Sequence, residues 1–262
     1  DTASKKPPPA QDWLISKELK RILKDEKPQV IHAHGWILYS IFPVKKDFEI
    51  PLVTTLHDYG LICPKTSLSN QNAICDEPFT SKCLACGRDH YGVAKSLATY
   101  LGVKAKRRSL TKVNKFIAVS SFMKQAHLKH LGLSSDDIVV IPNFYGPETS
   151  EEGGISNMLP KDFMLFVGAL TTIKGIEILI DAYSRLNTKT KLVLIGAKHP
   201  AYHYESTENI LVLQNAPHEV VMEAYRNCRF AVFPSIWPEP CPTVAFEAMS
   251  YKKAIITSKI GG

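Results

Sequence analysis

Long apolar runs are missing from this 262-residue chain. The longest nearly apolar stretch, Trp36 to Val44, is far short of the ~20 residues that a membrane-spanning helix needs. Residues 1–12 lack the apolar core of an export signal. Neither secretion nor an integral anchor is expected, which leaves a cytoplasmic protein, at most peripheral on the inner face of the membrane. No nucleic-acid-binding motif is present, and the basic clusters carry no interleaved aromatic residues, so nucleic acid is not an expected partner. An initiating Met is absent too. The chain starts at Asp1 and stops at Gly261-Gly262, so both ends read as cut.

What is present suits a soluble α/β protein. Hydrophobic residues make up 45% of the chain, enough for a large core and for one or two domains. Charge is divided unevenly. Lys and Arg outnumber Asp and Glu by eight in residues 1–145 and fall one short in the remainder, which together give the formal +7. The amino-terminal half should therefore meet any acidic partner, such as an anionic membrane surface or a phosphate-bearing acceptor.

Short apolar runs alternate with helical periodicity along the whole chain. After a Pro-rich start, Asp12 can cap a helix carrying Leu14, Ile15, Leu19, Ile22 and Leu23 on one face and ending before Pro28. Strands follow at Val30–Ile31 and 51–56, then at 116–119 and 138–141, with helices between them. A Gly-, Pro-, Ser- and Glu-rich segment, 146–160, reads as a linker between domains at 1–145 and 161–262. The second half repeats the alternation, with strands at 163–167, 192–195, 210–213 and 230–233 and helices at 175–186 and 218–226. Such spacing implies right-handed crossovers and parallel sheets, with sites at the carboxyl ends of the strands. His32, His34 and His57 fall at such ends. Plain packing or capping is the simpler reading of the first two.

The carboxyl-terminal stretch places two carboxylates eight positions apart. Glu239 falls in a Pro-broken loop and Glu247 in the helical pattern Val244, Phe246, Met249. Pro242 is expected at the first helical position, and the orphan amides of about Thr243 to Phe246 suit a phosphate. With Thr-Leu-His-Asp (55–58), Ile-Pro-Asn (141–143), Phe-Val-Gly-Ala-Leu-x-x-x-Lys-Gly (166–175), Pro-Ser (234–235) and the closing Ile-Gly-Gly, this arrangement resembles the retaining glycosyltransferases of group 1, family 4.

The resemblance implies a GT-B fold, with two doubly wound Rossmann-like domains facing a cleft. It implies transfer of a hexosyl group from a UDP- or GDP-sugar to a hydroxyl of a glycan or lipid-linked acceptor, with retention and without a divalent metal. Glu239 would contact the donor sugar, Glu247 the ribose hydroxyls, and His57 the donor sugar from the acceptor side. Lys174 and the backbone of Thr243 and Val244 would hold the diphosphate, with Gly168 permitting close approach. Where the family commonly has Arg after that glycine, this chain has Ala169, which removes one clamp charge. A non-catalytic nucleotide-binding protein of the same fold, or a GT-B epimerase or phosphorylase, would share most of these motifs.

Two features lie outside that pattern. Residues 58–90 read as a polar loop holding Cys63, Cys75, Cys83 and Cys86. Four thiolates would form a closed structural zinc site, with disulfides or unlinked thiols as the alternatives. Residues 93–115 read as one helix with Leu97, Tyr100 or Leu101, Val103 or Lys104, and Leu110 along one side. Its basic residues, Lys104, Lys106, Arg107, Arg108, Lys112 and Lys115, form either a membrane-facing patch or a solvated face.

Overall fold

The computed structural model describes residues 11–70, 73–146, 158–197 and 203–262. One compact unit runs to Pro142, and a second runs from Asn143 to Ile260. Most of the segment read as a linker, residues 147–157, lies outside the described residues.

In the first unit, helices α1 (Trp13–Glu26) and α2 (Ile37–Lys45) flank strands β1 (Ile31–His34) and β2 (Leu52–Leu56). A short hairpin, β3 (Ser69–Asn70) and β4 (Ala73–Ile74), leads into helices α3 (Lys82–Tyr91) and α4 (Val93–Lys106) and a 3-10 helix, Arg107–Lys112. Strand β5 (Lys115–Ala118), helix α5 (Ser121–Leu131) and strand β6 (Ile138–Val140) close the unit. Its four-stranded sheet has the order β1-β2-β5-β6, every pair parallel. As expected, Asp12 caps α1, its carboxylate accepting from the amides of Leu14 (2.9 Å) and Ile15 (3.2 Å).

Three expectations for this unit need correction. Leu14 and Ile22 face outward from α1, and Ser16 takes an inward position by donating to the carbonyls of Asp12 and Ser40. The segment read as a structureless loop contains β3, β4 and α3. Its polarity concealed them, because α3 has only Gly87 buried and so shows no apolar face. The helix read over 93–115 stops at Lys106 and tightens into the 3-10 turn. Val103 and Leu110 are buried as expected, but Ser96 and Thr99 take the inward places of Leu97 and Leu101.

The second unit holds β7 (Phe163–Val167), α6 (Ile176–Ser184), β8 (Lys191–Gly196), β9 (Ile210–Gln214), α7 (His218–Asn227), β10 (Phe230–Phe233), α8 (Thr243–Ser250) and β11 (Ala254–Thr257). Its five-stranded sheet is parallel throughout, in the order β11-β10-β7-β8-β9. β7 and β8 are near-continuous apolar runs because helices cover both faces of the sheet. Phe163, Leu165, Val193 and Ile195 pack with Met222 and Tyr225 on one face, while Phe166, Leu192 and Leu194 pack with Ile176 and Leu179 on the other. The chain runs from β7 outward to β9 and then crosses back to β10 on the other side of β7. That reversal opens a crevice at the carboxyl ends of β7 and β10, where ligands of such sheets bind.

Candidate active site

The loops leaving β7 and β10 are locked to each other at this crevice. After β7 the backbone passes through Gly168, at φ +152°, and lies so close to β8 that a Cβ on Gly196 would sit 1.9 Å from the Gly168 carbonyl oxygen. A 3-10 turn, Thr172–Lys174, then ends in Gly175, left-handed at φ +74°. A Cβ on Gly175 would fall 2.0 Å from the carbonyl oxygen of Pro234, immediately after β10, and the Ile236 amide donates to the Ile173 carbonyl at 3.0 Å. Only glycine at 175 lets the two loops meet this closely.

That latch brings together side chains 65 positions apart. Lys174 Nζ donates to Glu239 Oε1 at 2.5 Å. The same oxygen accepts from Ser235 Oγ at 2.6 Å and from Trp237 Nε1 at 2.8 Å, while Nζ lies 5.2 Å above the Trp237 ring. Glu239 and Ser235 are buried, and a buried carboxylate with three convergent donors is held in one orientation. Motif spacing implies separate tasks for Lys174 and Glu239; their pairing, and the parts of Ser235 and Trp237, come from the tertiary structure. The Pro234–Glu239 loop carries one available signal, a Ser and a Trp among prolines directly after a buried strand.

Glu239 is followed four residues later by α8. Pro242 is the N-cap rather than the first helical residue, and no side chain caps the helix. The Ala245 amide is taken by the Pro242 carbonyl at 3.1 Å, whereas the Thr243 and Val244 amides find no backbone acceptor among the described residues. The amide set is therefore smaller than Thr243 to Phe246, and it stands at the positive end of the helix. Glu247, one turn on, is bonded to the Tyr225 hydroxyl, which also reaches the Val244 carbonyl at 3.2 Å. Burial, and then the Glu247 carboxylate, push the Tyr225 phenol up, so it stays a donor.

In the first unit, the period-two alternation of β1 sends Ile31 and Ala33 into the core and leaves His32 and His34 exposed on one face. His34 Nδ1 lies 2.8 Å from His57 Nε2, and His32 Nε2 lies 2.8 Å from Thr55 Oγ1. Burial, reinforced by His34, lowers the His57 pKa against an opposing effect of Asp58, and His32 is lowered for the same first two reasons. His57 therefore stands neutral at pH 7, and His34, expected to serve in packing or capping, is its hydrogen-bonding partner. Burial raises Asp58, which accepts from the Gly60 amide at 2.7 Å.

Cys63, Cys75, Cys83 and Cys86 line one cavity of about 250 Å³ with Ile74, Pro78 and Lys82. All are free thiols. Among the described residues no three His, Cys, Asp or Glu side chains are grouped so as to hold a metal ion, so the thiols rim the space rather than close on one point.

Residues 2–148 match the family model described as Glycosyltransferase Family 4, and residues 148–262 match the one described as Glycosyl transferases group 1. This chain belongs to glycosyltransferase family 4. It is 27% identical over 259 residues to an uncharacterised glycosyltransferase of Methanocaldococcus jannaschii, covering 93% of this chain and 59% of that one. To a lipopolysaccharide 1,2-N-acetylglucosaminetransferase of Salmonella typhimurium it is 26% identical over 172 residues, covering 56% and 45%. The family 4 chain thus spans about three fifths or less of these relatives. Among solved structures it resembles Anabaena HepE in complex with UDP and glucose, with a TM-score of 0.66 at 18% identity over 94% of this chain and 63% of that one, which speaks to the fold alone. The two Rossmann-like units expected from the sequence are the architecture of such GT-B neighbours.

Proposed function

We propose that this chain forms part of a retaining, metal-independent hexosyltransferase that takes a UDP- or GDP-sugar and delivers the sugar to a hydroxyl of a glycan or lipid-linked acceptor. The observation that carries the proposal is the convergence of Lys174, Glu239 and the uncapped start of α8 at the β7/β10 crevice. Such a transfer is accelerated by fixed donors placed where charge develops on the departing diphosphate. Lys174 and the amides of Thr243 and Val244 supply those donors, and Gly168 leaves room for the phosphates to approach the backbone. Glu239 faces the sugar, and Glu247 accepts from the ribose hydroxyls while Tyr225 steadies it.

Lys174 is neutralised by Glu239 until a diphosphate competes for it, which links donor binding to release of the carboxylate toward the sugar. Ala169 offers no second cation. Neighbours solved with UDP-glucose and with UDP and glucose support a nucleotide-sugar donor, and the lipopolysaccharide 1,2-N-acetylglucosaminetransferase supports a glycan acceptor.

Calorimetric titration with nucleoside diphosphates and nucleosides, paired with turnover assays, tests the assignment. Lys174→Ala should weaken diphosphate binding and spare the nucleoside. Glu247→Gln should weaken bare nucleoside diphosphate by roughly 1.5–3 kcal/mol. Glu239→Gln should lower turnover with little change in nucleotide affinity, since a contact to the sugar matters most as charge develops. Equal affinity and turnover in all three variants would remove the assignment.

A further inference from the structure

Helix α4 is turned inside out. Its buried face presents Ser96 and Thr99, 2% and 1% exposed, with Val103 as its one buried aliphatic residue, while Val93, Leu97 and Leu101 are 70%, 46% and 52% exposed. The inward choice has a steric cause. Ser96 Oγ donates to the Leu84 carbonyl at 2.9 Å and sits where a Cβ on Gly87 would lie only 2.4 Å away, so α3 and α4 meet through their smallest residues. The larger apolar side chains are left on the opposite side, three of them at i, i+4 and i+8. Lys104 continues the same line at helical spacing, and Arg108 follows in the 3-10 turn just beyond the end of α4, both exposed.

The charge around this stripe has one sign. From His90 to Ser135 the sequence holds no Asp or Glu, against nine Lys and Arg. Among the described residues no carboxylate pairs with Lys104, Lys106 or Arg108. Other basic residues of the segment are occupied: Arg107 donates to the His130 carbonyl at 2.6 Å and lies over the Phe79 ring, Lys112 reaches the Phe42 carbonyl, and Lys115 the Asp136 carbonyl. Lys104 lies over the Tyr100 ring, 5.8 Å from its centroid, so the cations that share or border the apolar line are ones without a carboxylate partner. An exposed apolar stripe flanked by unpaired cations is the pattern of a helix that lies in an interface, apolar side chains in the acyl boundary and cations at anionic headgroups. No helix among the described residues is long and apolar enough to cross a bilayer, so the contact is peripheral.

We propose that the outer face of α4, Val93, Leu97 and Leu101 with Lys104 and Arg108, docks on an anionic lipid surface. This rests on the first unit alone and does not depend on the donor-site assignment. Flotation of the chain with phosphatidylcholine vesicles containing a quarter phosphatidylglycerol, against vesicles of phosphatidylcholine alone, tests it. Wild type should float with the anionic vesicles and much less with the neutral ones. Leu97→Gln/Leu101→Gln should reduce that binding tenfold or more at unchanged net charge, on the order expected for two apolar anchors. Lys104→Gln/Arg108→Gln should reduce it about fivefold per charge and flatten its salt dependence. The control Lys17→Gln/Lys24→Gln, which removes two exposed charges from α1, should lose less than either. Nucleoside diphosphate titration of the same variants should be unchanged, which separates loss of docking from loss of the donor site. No flotation, equal loss in all three variants, or a wild-type dimer that Leu97→Gln/Leu101→Gln dissolves without lipid would overturn the proposal.

Discussion

The two units solve the same packing problem differently. Around β7 and β8 apolar residues go where periodicity sends them: α6 buries Ile176, Leu179 and Tyr183 at i, i+3 and i+7, and the buried polar groups are few, Ser235 and Glu239 in the latched loops with Thr190 and Glu223. In the first unit polar groups penetrate the interior. His127 is fully buried, Ser16, Ser40, Thr54 and Thr55 are buried too, and α4 turns serine and threonine inward. A unit that buries hydroxyls and an imidazole depends on satisfied hydrogen bonds and on pH. A unit that buries hydrocarbon depends on volume, and its functional carboxylates become the sensitive points.

That contrast can be broken or sharpened by experiment. The largest effect is expected at Glu239. Glu239→Ala strands Lys174, Ser235 and Trp237 donors together, and should cost the second unit roughly 3–5 kcal/mol in urea unfolding, the loss typical when one partner of a buried pair is removed. A neutral response would mean that the latch, rather than the pair, holds the loops.

Next comes acid. His127 stacks against Tyr59 and donates through Nδ1 to the Met123 carbonyl at 2.9 Å, while its Nε2 is buried without a partner. Burial lowers its pKa to about 4. Because the folded value lies below the unfolded one, the unfolded state takes up the proton first. The stabilising contribution is complete above about pH 6.5 and is lost as pH falls toward 4, roughly 3 kcal/mol in all. His32 and His57, also lowered, act in the same direction. Denaturation followed at stepped pH should show this slope in the first unit, and His127→Gln should flatten it.

Each unit holds a deeply buried thiol, Cys63 and Cys228, and burial pushes both from 9 to about 11. At equal pH each should therefore alkylate about a hundredfold more slowly than an ordinary thiol, from the thiolate fraction alone. Mass spectrometry of timed alkylation measures this. Joint protection of Cys63, Cys75, Cys83 and Cys86 with one zinc per chain in metal analysis is what the structural-zinc expectation requires. Free alkylation of Cys75, Cys83 and Cys86 would remove it.

The smallest effects separate the faces of α4. Ser96→Leu should cost the first unit about 1–3 kcal/mol by overpacking against Gly87. Leu97→Gln, the more drastic change on paper, should fall within about 0.5 kcal/mol by thermal unfolding. The reverse order would show that Leu97 is buried in solution.

Much of this molecule follows from local rules that a linear reading can apply. Val193 to Ile195 and Phe163 to Phe166 had to be buried strands, since each is a short apolar run bounded by polar residues. Asp12 had to cap α1 because a short acceptor precedes a helical pattern. Gly168, Lys174, Glu239, Glu247 and His57 stood out in the linear sequence because the motifs around them resemble those of the family. Tertiary structure decided what depends on distant partners. That Glu239 meets Lys174 follows from Gly175 closing on the Pro234 carbonyl, an approach between loops separated by three strands and two helices. The four thiols share a cavity because β4 and α3 fold back on Cys63, in a segment whose polarity hid its helix. Which side of α4 is buried was settled by Gly87, because a glycine on the facing helix admits Ser96 and excludes Leu97, and periodicity along α4 carries no information about the residue opposite it.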